Sequence, residues 1–270
     1  MTTRLPLSAF IIAKDEEDRI SVAIASVADW VDEVIVIDSG STDGTVEAAE
    51  AAGARVVANA WPGYGPQKRF GEDQCRHDWL LNLDADEEVT PALCTEIKAK
   101  FADGSLMDAD GWRIMIRDVY AHEDMPAPWA YGYHQIRLYD RRKGRFSDSI
   151  VHDTVRPDPG ARIKSLAGTM AHRSIRSLDF QVTKYNRYSN MQVEDLTARR
   201  RRLPRWRLLS EFPFGFFKAY VSRKYYRYGW WGWILSINYA HARFLRVAKA
   251  YEANLPNRPA HNRPDRHGNP

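Results

Sequence analysis

The chain has 270 residues, 44% of them hydrophobic and 12% aromatic, which is enough to bury the core of one large domain with an appendage. This composition excludes disordered, collagen-like and disulfide-rich proteins. The 39 Lys and Arg outnumber the 35 Asp and Glu by only four, too few to indicate nucleic-acid binding. Cys75 and Cys94 have neither zinc-site nor disulfide spacing, and they fit a reducing cytoplasm.

The apolar runs are short. The first, from Leu5 to Ala13, is followed at once by Lys-Asp-Glu-Glu, so it predicts a buried strand rather than a signal peptide. No uncharged apolar run approaches the roughly 18 residues that a membrane-spanning helix needs. The sequence therefore predicts a cytoplasmic protein without a transmembrane anchor.

The first hundred residues alternate between strand and helix patterns. Short apolar, β-branched runs predict strands at residues 7–13, 34–37, 54–57 and 79–83, and helical spacing or caps predict helices at 16–28, 45–52, 66–76 and 91–101. Such alternation is typical of an α/β fold with a mostly parallel sheet and flanking helices. Ligands of these sheets bind at the carboxyl ends of the strands.

The pattern changes after residue 110. Strand-like segments at 111–119 and 135–139 flank a stretch rich in Pro and aromatic residues, 125–133, which indicates a functional loop. After Ser177 the sequence becomes helical and basic. We predict a catalytic domain at 1–175, a helical region at 176–253 and a disordered tail at 254–270.

Acidic residues follow the second predicted strand. Asp38 stands at its end, and Asp43 lies in the small-residue turn Ser-Gly-Ser-Thr-Asp-Gly. A carboxylate at this place can accept hydrogen bonds from a ribose or a base. The same residues also favour an Asx turn with a helix cap, and the sequence does not decide between the two interpretations.

A stronger acidic pattern follows the strand at 79–83, which ends in four carboxylates within five positions. Asp84 and Asp86 can approach one Mg²⁺ or Mn²⁺ shared with a diphosphate. The alternative is a solvated acidic turn that stabilises the start of the helix at Pro91. We favour that alternative for Glu87 and Glu88, and the metal site for Asp84 and Asp86.

The order of these motifs resembles the family 2 glycosyltransferases of GT-A fold, and in particular the lipopolysaccharide core glucosyltransferases. The resemblance covers most of residues 5–250 and rests on these segments: Ala13-Lys-Asp-Glu16, 38–45, Trp61-Pro-Gly-Tyr-Gly-Pro-Gln-Lys68, Leu83-Asp-Ala-Asp-Glu87, Arg137-Leu-Tyr139, Lys143-Gly-Arg-Phe146 and Val151-His-Asp153. Two motifs depart from the family pattern: the first motif, where this chain has Ala13-Lys-Asp15, and the segment before Gln135, where it has His134 in place of an acidic residue. The donor pocket or the acceptor side is where a difference is expected.

The resemblance implies an inverting, metal-dependent transfer of a hexose from a nucleotide sugar, with UDP-hexose as the expected donor. It implies roles for the following residues: Asp38 on the nucleoside, Asp15, Glu16 and Asp43 in the same pocket, and Asp84, Asp86 and His152 on Mg²⁺ or Mn²⁺. Lys68 either approaches the diphosphate, as the resemblance implies, or stands at a solvated helix start. Arg137 either contacts a phosphate or pairs with an acidic neighbour.

The transfer also needs a general base for the acceptor hydroxyl. We nominate Asp153, because it occupies the position of the family's His-acidic pair, with Asp148 as the reserve. His152 is either a metal or diphosphate contact or a structural residue, and His172 is a weaker candidate.

Arginine and aromatic residues alternate from Arg199 to Tyr251. This composition is typical of helices that lie on an anionic membrane surface, which would bring a lipid-linked acceptor within reach on the inner face of the cytoplasmic membrane. Packing of the aromatics on the catalytic domain is the alternative. Nucleic-acid binding is disfavoured because the acidic strand ends would repel phosphate.

Two other functions remain open at this stage. A sugar-phosphate nucleotidyltransferase uses a similar sheet and acidic metal site, although Lys14-Asp15-Glu16 is a poor substitute for its Gly-rich loop. An inactive peripheral membrane or polyanion-binding protein is the non-enzymatic alternative.

Overall fold

The β-branched, apolar segments of the first half form one eight-stranded sheet. The computed structural model describes residues 4–120, 123–149 and 153–255. In order along the chain the strands are β1 Leu5–Ala13, β2 Val31–Asp38, β3 Arg55–Ala58, β4 Trp79–Asp84, β5 Glu87–Val89, β6 Gly111–Asp118, β7 Gly132–Asp140, β8 Gly144–Phe146, β9 Val155–Pro157 and β10 Ile163–His172.

The spatial order of the large sheet is β3-β2-β1-β4-β7-β6-β10-β5, and β8 pairs only with β9. Strands β1 to β4 run parallel, β7 is antiparallel to both β4 and β6, and β10 is parallel to β6. The carboxyl ends of β1, β2 and β4 consequently meet at one edge, because parallel neighbours end on the same side.

Seven α-helices accompany the strands in the described part of the chain: α1 Ile20–Ala28, α2 Thr45–Ala51, α3 Tyr64–Gln74, α4 Pro91–Asp103, α5 Leu178–Ala198, α6 Arg207–Phe217 and α7 Gly229–Ala253. Side-chain caps start two of them: Thr90 accepts a hydrogen bond from the backbone N–H of Leu93, and Ser177 accepts one from Phe180. Gly53 ends the α2 segment with a φ of +90°.

The core lies on both faces of the sheet. Leu7 and Ile11 of β1 pack with the apolar side of α1, and Phe10 faces the opposite side with Ile35 and Ile37. Helix α3 crosses that second face very closely, since a Cβ on Gly71 would stand 2.8 Å from the Phe10 ring. This contact fixes the start of α3 beside the sheet edge described above.

The chain divides into two compact units, residues 1–174 with the sheet and α1–α4, and residues 175–270 with α5–α7. In the second unit a π-helical turn, Lys218–Ser222, and a 3₁₀ turn, Tyr225–Tyr228, connect α6 to α7. No helix among the described residues is both long and apolar enough to cross a bilayer.

The predicted fold class is confirmed: a mostly parallel sheet with flanking helices, followed by a helical region. Each of the four predicted early strands and helices forms within a few residues of its expected position. The sequence pattern did not reveal β5 and β10, which complete the sheet at its far edge. Residues 256–270, most of the predicted tail, lie outside the described residues.

Candidate active site

The loops after β1 and β2 are joined by side chain to backbone hydrogen bonds. The Asp15 N–H donates to Ser41 Oγ at 3.0 Å, and Asp15 Oδ1 accepts from the Thr42 N–H at 2.8 Å. The Glu16 N–H donates to Thr45 Oγ1 at 2.8 Å. Asp15 adopts a φ of +53°, which turns the chain back toward the second loop. The predicted donor residues Asp15 and Glu16 therefore adjoin the segment from Asp38 to Thr45.

Within that segment the two aspartates bind their own loop. Asp38 Oδ2 accepts from the backbone N–H of Gly40 at 2.9 Å and of Ser41 at 3.0 Å. Asp43 Oδ1 accepts from the Thr45 N–H at 3.1 Å; burial acts to raise the pKa of Asp43, but the Thr45 hydrogen bonds lower it below the ordinary value. These contacts are those of an Asx turn and a helix start. A role of Asp38 or Asp43 in nucleoside binding stays a prediction.

Asp84, the last residue of β4, is held between two buried cations. Its Oδ1 lies 2.7 Å from Lys68 Nζ and its Oδ2 lies 2.7 Å from a guanidinium nitrogen of Arg137. Burial acts to raise the pKa of Asp84, but Arg137 and Lys68 together hold it far below the ordinary value. About a third of the Asp84 side chain remains exposed, so this carboxylate is anionic and open to a ligand.

Arg137 is almost completely buried beneath Asp84. Besides Asp84 it donates to Glu87 Oε1 at 2.6 Å and to the amide oxygen of Asn82. Arg137 was expected either to contact a phosphate or to pair with an acidic neighbour. In the structure it pairs with acidic neighbours. The interpretation of Glu87 as a solvated residue at a helix start is wrong: its side chain is fully buried, and burial raises its pKa.

Lys68 connects Asp84 to the proposed base. Its ammonium lies 2.5 Å from Asp153 Oδ2 as well as 2.7 Å from Asp84, and it stands 5.0 Å from the centre of the Phe146 ring. The Lys68 side chain has no solvent exposure. It reaches this position because α3 starts against the segment before Asp153: the Gly65 N–H donates to the carbonyl of Ser149 at 3.0 Å.

Asp148, the reserve base, lies apart from this cluster in a more open position. Its side chain is 77% exposed and its carboxylate pairs with Arg69 at 3.2 Å. The structure thus joins Asp153, and not Asp148, to Asp84 through a shared cation. His152 lies outside the described residues.

Asp86 belongs to a second charged cluster. Its Oδ2 lies 3.3 Å from His172 Nε2 and 3.6 Å from Arg19, and His172 Nδ1 lies 2.9 Å from Asp118. Although burial lowers it, the hydrogen bonds to Asp118 and Asp86 raise the pKa of His172 to about 10. Arg19 also binds the Glu16 carboxylate through two nitrogens, which connects Asp86 to the loop after β1.

The carboxylates at the strand ends are suitable ligands for a hard divalent cation. Asp84 and Asp86 offer carboxylate oxygens, the ligands that Mg²⁺ and Mn²⁺ prefer. Among the described residues no three His, Cys, Asp or Glu side chains form a complete metal cage. A cation bound by these aspartates would therefore need further ligands, such as the oxygens of a bound diphosphate.

A cleft of about 590 Å³ adjoins Asp148. Its lining includes five arginines, Arg69, Arg141, Arg142, Arg145 and Arg156. The first four of these already pair with carboxylates, namely Asp148, Asp78, Asp140 and Glu72. The positive charge of the cleft is thus largely balanced by the protein itself.

Sequence reasoning missed several residues of the two clusters. Asn82, Arg19 and Asp118 contact the predicted residues directly. Glu72 accepts a hydrogen bond from the Phe146 N–H at 2.9 Å and so orders the segment that leads to Asp153. One signal was available for Asn82: a polar residue inside the apolar run Trp79-Leu-Leu-Asn-Leu needs a buried partner. The contacts of Arg19 with Asp86 and of Asp118 with His172 could not be predicted from the local pattern, because these residues are more than 50 positions apart.

Comparison with known proteins identifies relatives over most of the chain. The sequence model described as "Glycosyl transferase family 2" matches residues 8–164. An uncharacterized glycosyltransferase of Rickettsia conorii is 40% identical over 256 residues, 92% of this chain and 91% of that protein. The lipopolysaccharide core biosynthesis glycosyltransferase LpsC of Rhizobium meliloti is 32% identical over 266 residues, 93% of this chain and 94% of that protein.

Among solved structures, glucosyl-3-phosphoglycerate synthase from Mycobacterium tuberculosis, in complex with Mn²⁺, uridine diphosphate and phosphoglyceric acid, aligns with 23% identity. The alignment covers 64% of this chain and 72% of that one, with a TM-score of 0.40.

Proposed function

We propose that this chain, which belongs to the family 2 glycosyltransferases, is an inverting, metal-dependent hexosyltransferase with a nucleotide-sugar donor, a UDP-hexose. Its acceptor is a saccharide or a lipid-linked glycan in lipopolysaccharide or other cell-surface glycan biosynthesis. Similarity to LpsC along nearly the whole of both chains supports this choice of acceptor class.

The observation that carries the proposal is the position of Lys68 between two carboxylates. Because its ammonium contacts both Asp84 and Asp153, oxygens of the two side chains are no more than about 5 Å apart. Asp84 ends a parallel strand, where nucleotide ligands of such sheets bind. Asp153 comes from the segment after β8 and β7, on the acceptor side of the same cluster. A donor group and an acceptor group can therefore meet there.

On the donor side, Asp84 and Asp86 would hold the divalent cation together with His152. When bound, the cation neutralises the charge that develops on the leaving nucleoside diphosphate. Arg137 keeps Asp84 ionised and in place from below, and Arg19 ties Asp86 to the loop of Asp15 and Glu16. Lys68 has no solvent exposure, so it supports the donor side by holding Asp84 in place and not by direct contact with the diphosphate.

On the acceptor side, Asp153 takes the proton of the attacking hydroxyl. The hydroxyl oxygen forms its bond to the anomeric carbon from the face opposite the diphosphate, so the configuration inverts and no covalent enzyme intermediate forms. Lys68 positions the Asp153 carboxylate through their 2.5 Å ion pair.

Nucleotide binding tests the donor side. Calorimetry with UDP, GDP, CMP and ADP, each with and without Mn²⁺, is expected to give Mn²⁺-dependent binding of UDP to the wild type. Asp86→Ala is expected to lose that dependence, whereas Glu88→Ala, in the same turn but paired with Arg173, keeps it. Absence of nucleotide binding under every condition would contradict the proposed donor.

Transfer assays test the base. Asp153→Asn is expected to keep UDP binding and to lower the transfer rate by about a hundredfold or more, the contribution typical of general-base catalysis. Asp148→Asn is the matched control and is expected to retain most of the activity. The reverse result would move the base to Asp148, and full activity of both variants would refute either assignment.

A further inference from the structure

Helix α6 exposes large apolar side chains on the face turned away from the rest of its unit. Trp206, the residue that precedes α6, and Leu209 and Phe217 within it are 66%, 84% and 61% exposed, and we call these three residues the outer face of α6. Burying such side chains is normally favourable, and a contiguous apolar patch on a surface indicates a partner.

The opposite side of α6 explains this orientation. Gly215 packs directly on α7, where an added Cβ would lie 3.1 Å from the Cα of Ala240, and Glu211 is also buried on this side. Since residues three and four apart share one face of a helix, 206, 209 and 217 turn away from α7 together. The outer face is thus fixed by packing and is not the result of a loosely held helix.

The segment that contains α6 is strongly basic. Residues 199–251 contain thirteen Lys and Arg and a single acidic residue, Glu211. Glu211 is buried, and its carboxylate binds Arg207, Arg243 and Arg246. The exposed charges of the segment, among them Arg201, Arg202, Arg205, Lys218 and Lys224, are therefore all positive.

We propose that the outer face of α6 docks on an anionic bilayer surface, with its apolar side chains at the boundary of head groups and acyl chains. Trp, Phe and Leu beside Lys and Arg are the combination that binds this boundary. The helix has only eleven residues, so it lies on the membrane instead of crossing it. This surface is inferred from the second unit alone and does not depend on the proposed chemistry.

Other occupants fit the outer face less well. A second copy of the chain would bring two strongly basic surfaces together, which costs electrostatic energy. Nucleic acid would satisfy the positive charge, but an aliphatic side chain as exposed as Leu209 offers no ring on which a base can stack. An anionic bilayer satisfies both the charge and the apolar area.

Vesicle binding of the full chain tests the proposal. Cosedimentation is measured with phosphatidylcholine vesicles, with and without phosphatidylglycerol, for the wild type and for Leu209→Gln/Phe217→Gln. The control is Val22→Gln/Met107→Gln, which replaces two exposed apolar residues of the first unit. UDP binding and circular dichroism are recorded for every variant, so that misfolding and loss of the donor site are detected separately.

We expect the wild type and the control to bind only the anionic vesicles, and the α6 variant to bind them about tenfold or more weakly. Lys218→Gln/Lys224→Gln should weaken binding by a smaller factor and make it less sensitive to salt. Equal vesicle binding by the α6 variant and the wild type, or no binding by the wild type, would overturn the proposal. So would an oligomer or a nucleic-acid complex of the wild type that the α6 variant loses while vesicle binding is unchanged.

Discussion

The two units of this protein carry opposite charge. Residues 1–174 contain 20 Lys and Arg against 29 Asp and Glu, whereas residues 175–270 contain 19 against 6. Each unit buries charge of its minority sign. In the first, Arg137 is enclosed by Asp84 and Glu87; in the second, Glu211 is enclosed by Arg207, Arg243 and Arg246.

The two units differ in which charged groups remain exposed around the buried counter-ion. Arg137 satisfies Asp84 from below while part of the Asp84 side chain stays open at the strand end, where a cation and a diphosphate are proposed to bind. Glu211 satisfies three arginines inside the helical unit, and the remaining positive charge stays on the surface beside the apolar outer face of α6. A buried counter-ion therefore occurs in both units, but one unit leaves a carboxylate open to a small ligand and the other leaves a basic, apolar surface for an extended partner.

Removal of Arg137 is expected to have the largest effect. Arg137→Met should destabilise the first unit by about 3–5 kcal/mol, because it leaves the buried Glu87 carboxylate without its cation and beside Asp84, which keeps only Lys68. Arg76→Met is the matched control: Arg76 is mostly exposed and its partner Asp32, also partly exposed, keeps its contact with His77, so little change is expected. Urea unfolding compares the two. Similar stability of both variants would show that Arg137 does not hold the strand end together.

Removal of Glu211 tests the reversed arrangement in the second unit. Burial acts to raise the pKa of Glu211, but Arg207 and Arg243 hold it below its ordinary value. Glu211→Gln should cost about 1–3 kcal/mol, less than the loss of Arg137, because the three arginines are each about a quarter exposed and can turn to water.

Glu194→Gln, an exposed position on α5, is the control for this experiment. Urea unfolding followed by tryptophan fluorescence is suitable, since five of the nine tryptophans lie in the sheet unit and four in the helical unit. If Glu211→Gln lowers the free energy of unfolding as much as Arg137→Met does, the two buried counter-ions contribute equally and the expected difference between the units is wrong.

Much of the fold was predictable because its elements are local. The apolar β-branched runs, the caps at Thr90 and Ser177 and the stop at Gly53 each act within a few residues, and the early strands and helices formed where expected. Strands β5 and β10 were missed for a physical reason. Glu87–Val89 is three residues long and starts with two carboxylates, so its pairing with β10 depends on partners that local patterning does not specify.

The sequence allowed us to predict which residues of the site stand at strand ends, but not which residues they contact. Asp84 could be identified because an apolar strand ends there. The burial of Glu87 and the ion pair between Lys68 and Asp153 could not, since each depends on a residue at least 50 positions away. For Arg137 both roles were considered, and only the fold decided that this guanidinium pairs with acidic neighbours.

His172 gives the effect that is most specific to the sheet unit, because it changes with pH. Its folded-state pKa of about 10 lies above the ordinary value of 6.5, so its ion pairs with Asp86 and Asp118 stabilise the fold fully below the ordinary value and are lost as pH rises through about 10. His172→Gln keeps a polar side chain without the charge. The stability difference between wild type and this variant, measured by urea unfolding with chelator present, should be largest near pH about 6 and should shrink toward pH about 10. The control is His241→Gln, at a histidine of α7 in the second unit, which should show the same pH dependence of stability as the wild type. If the His172→Gln difference is constant across this range, His172 is not held as a cation between the two carboxylates, and the second charged cluster of the site would need a different protonation state.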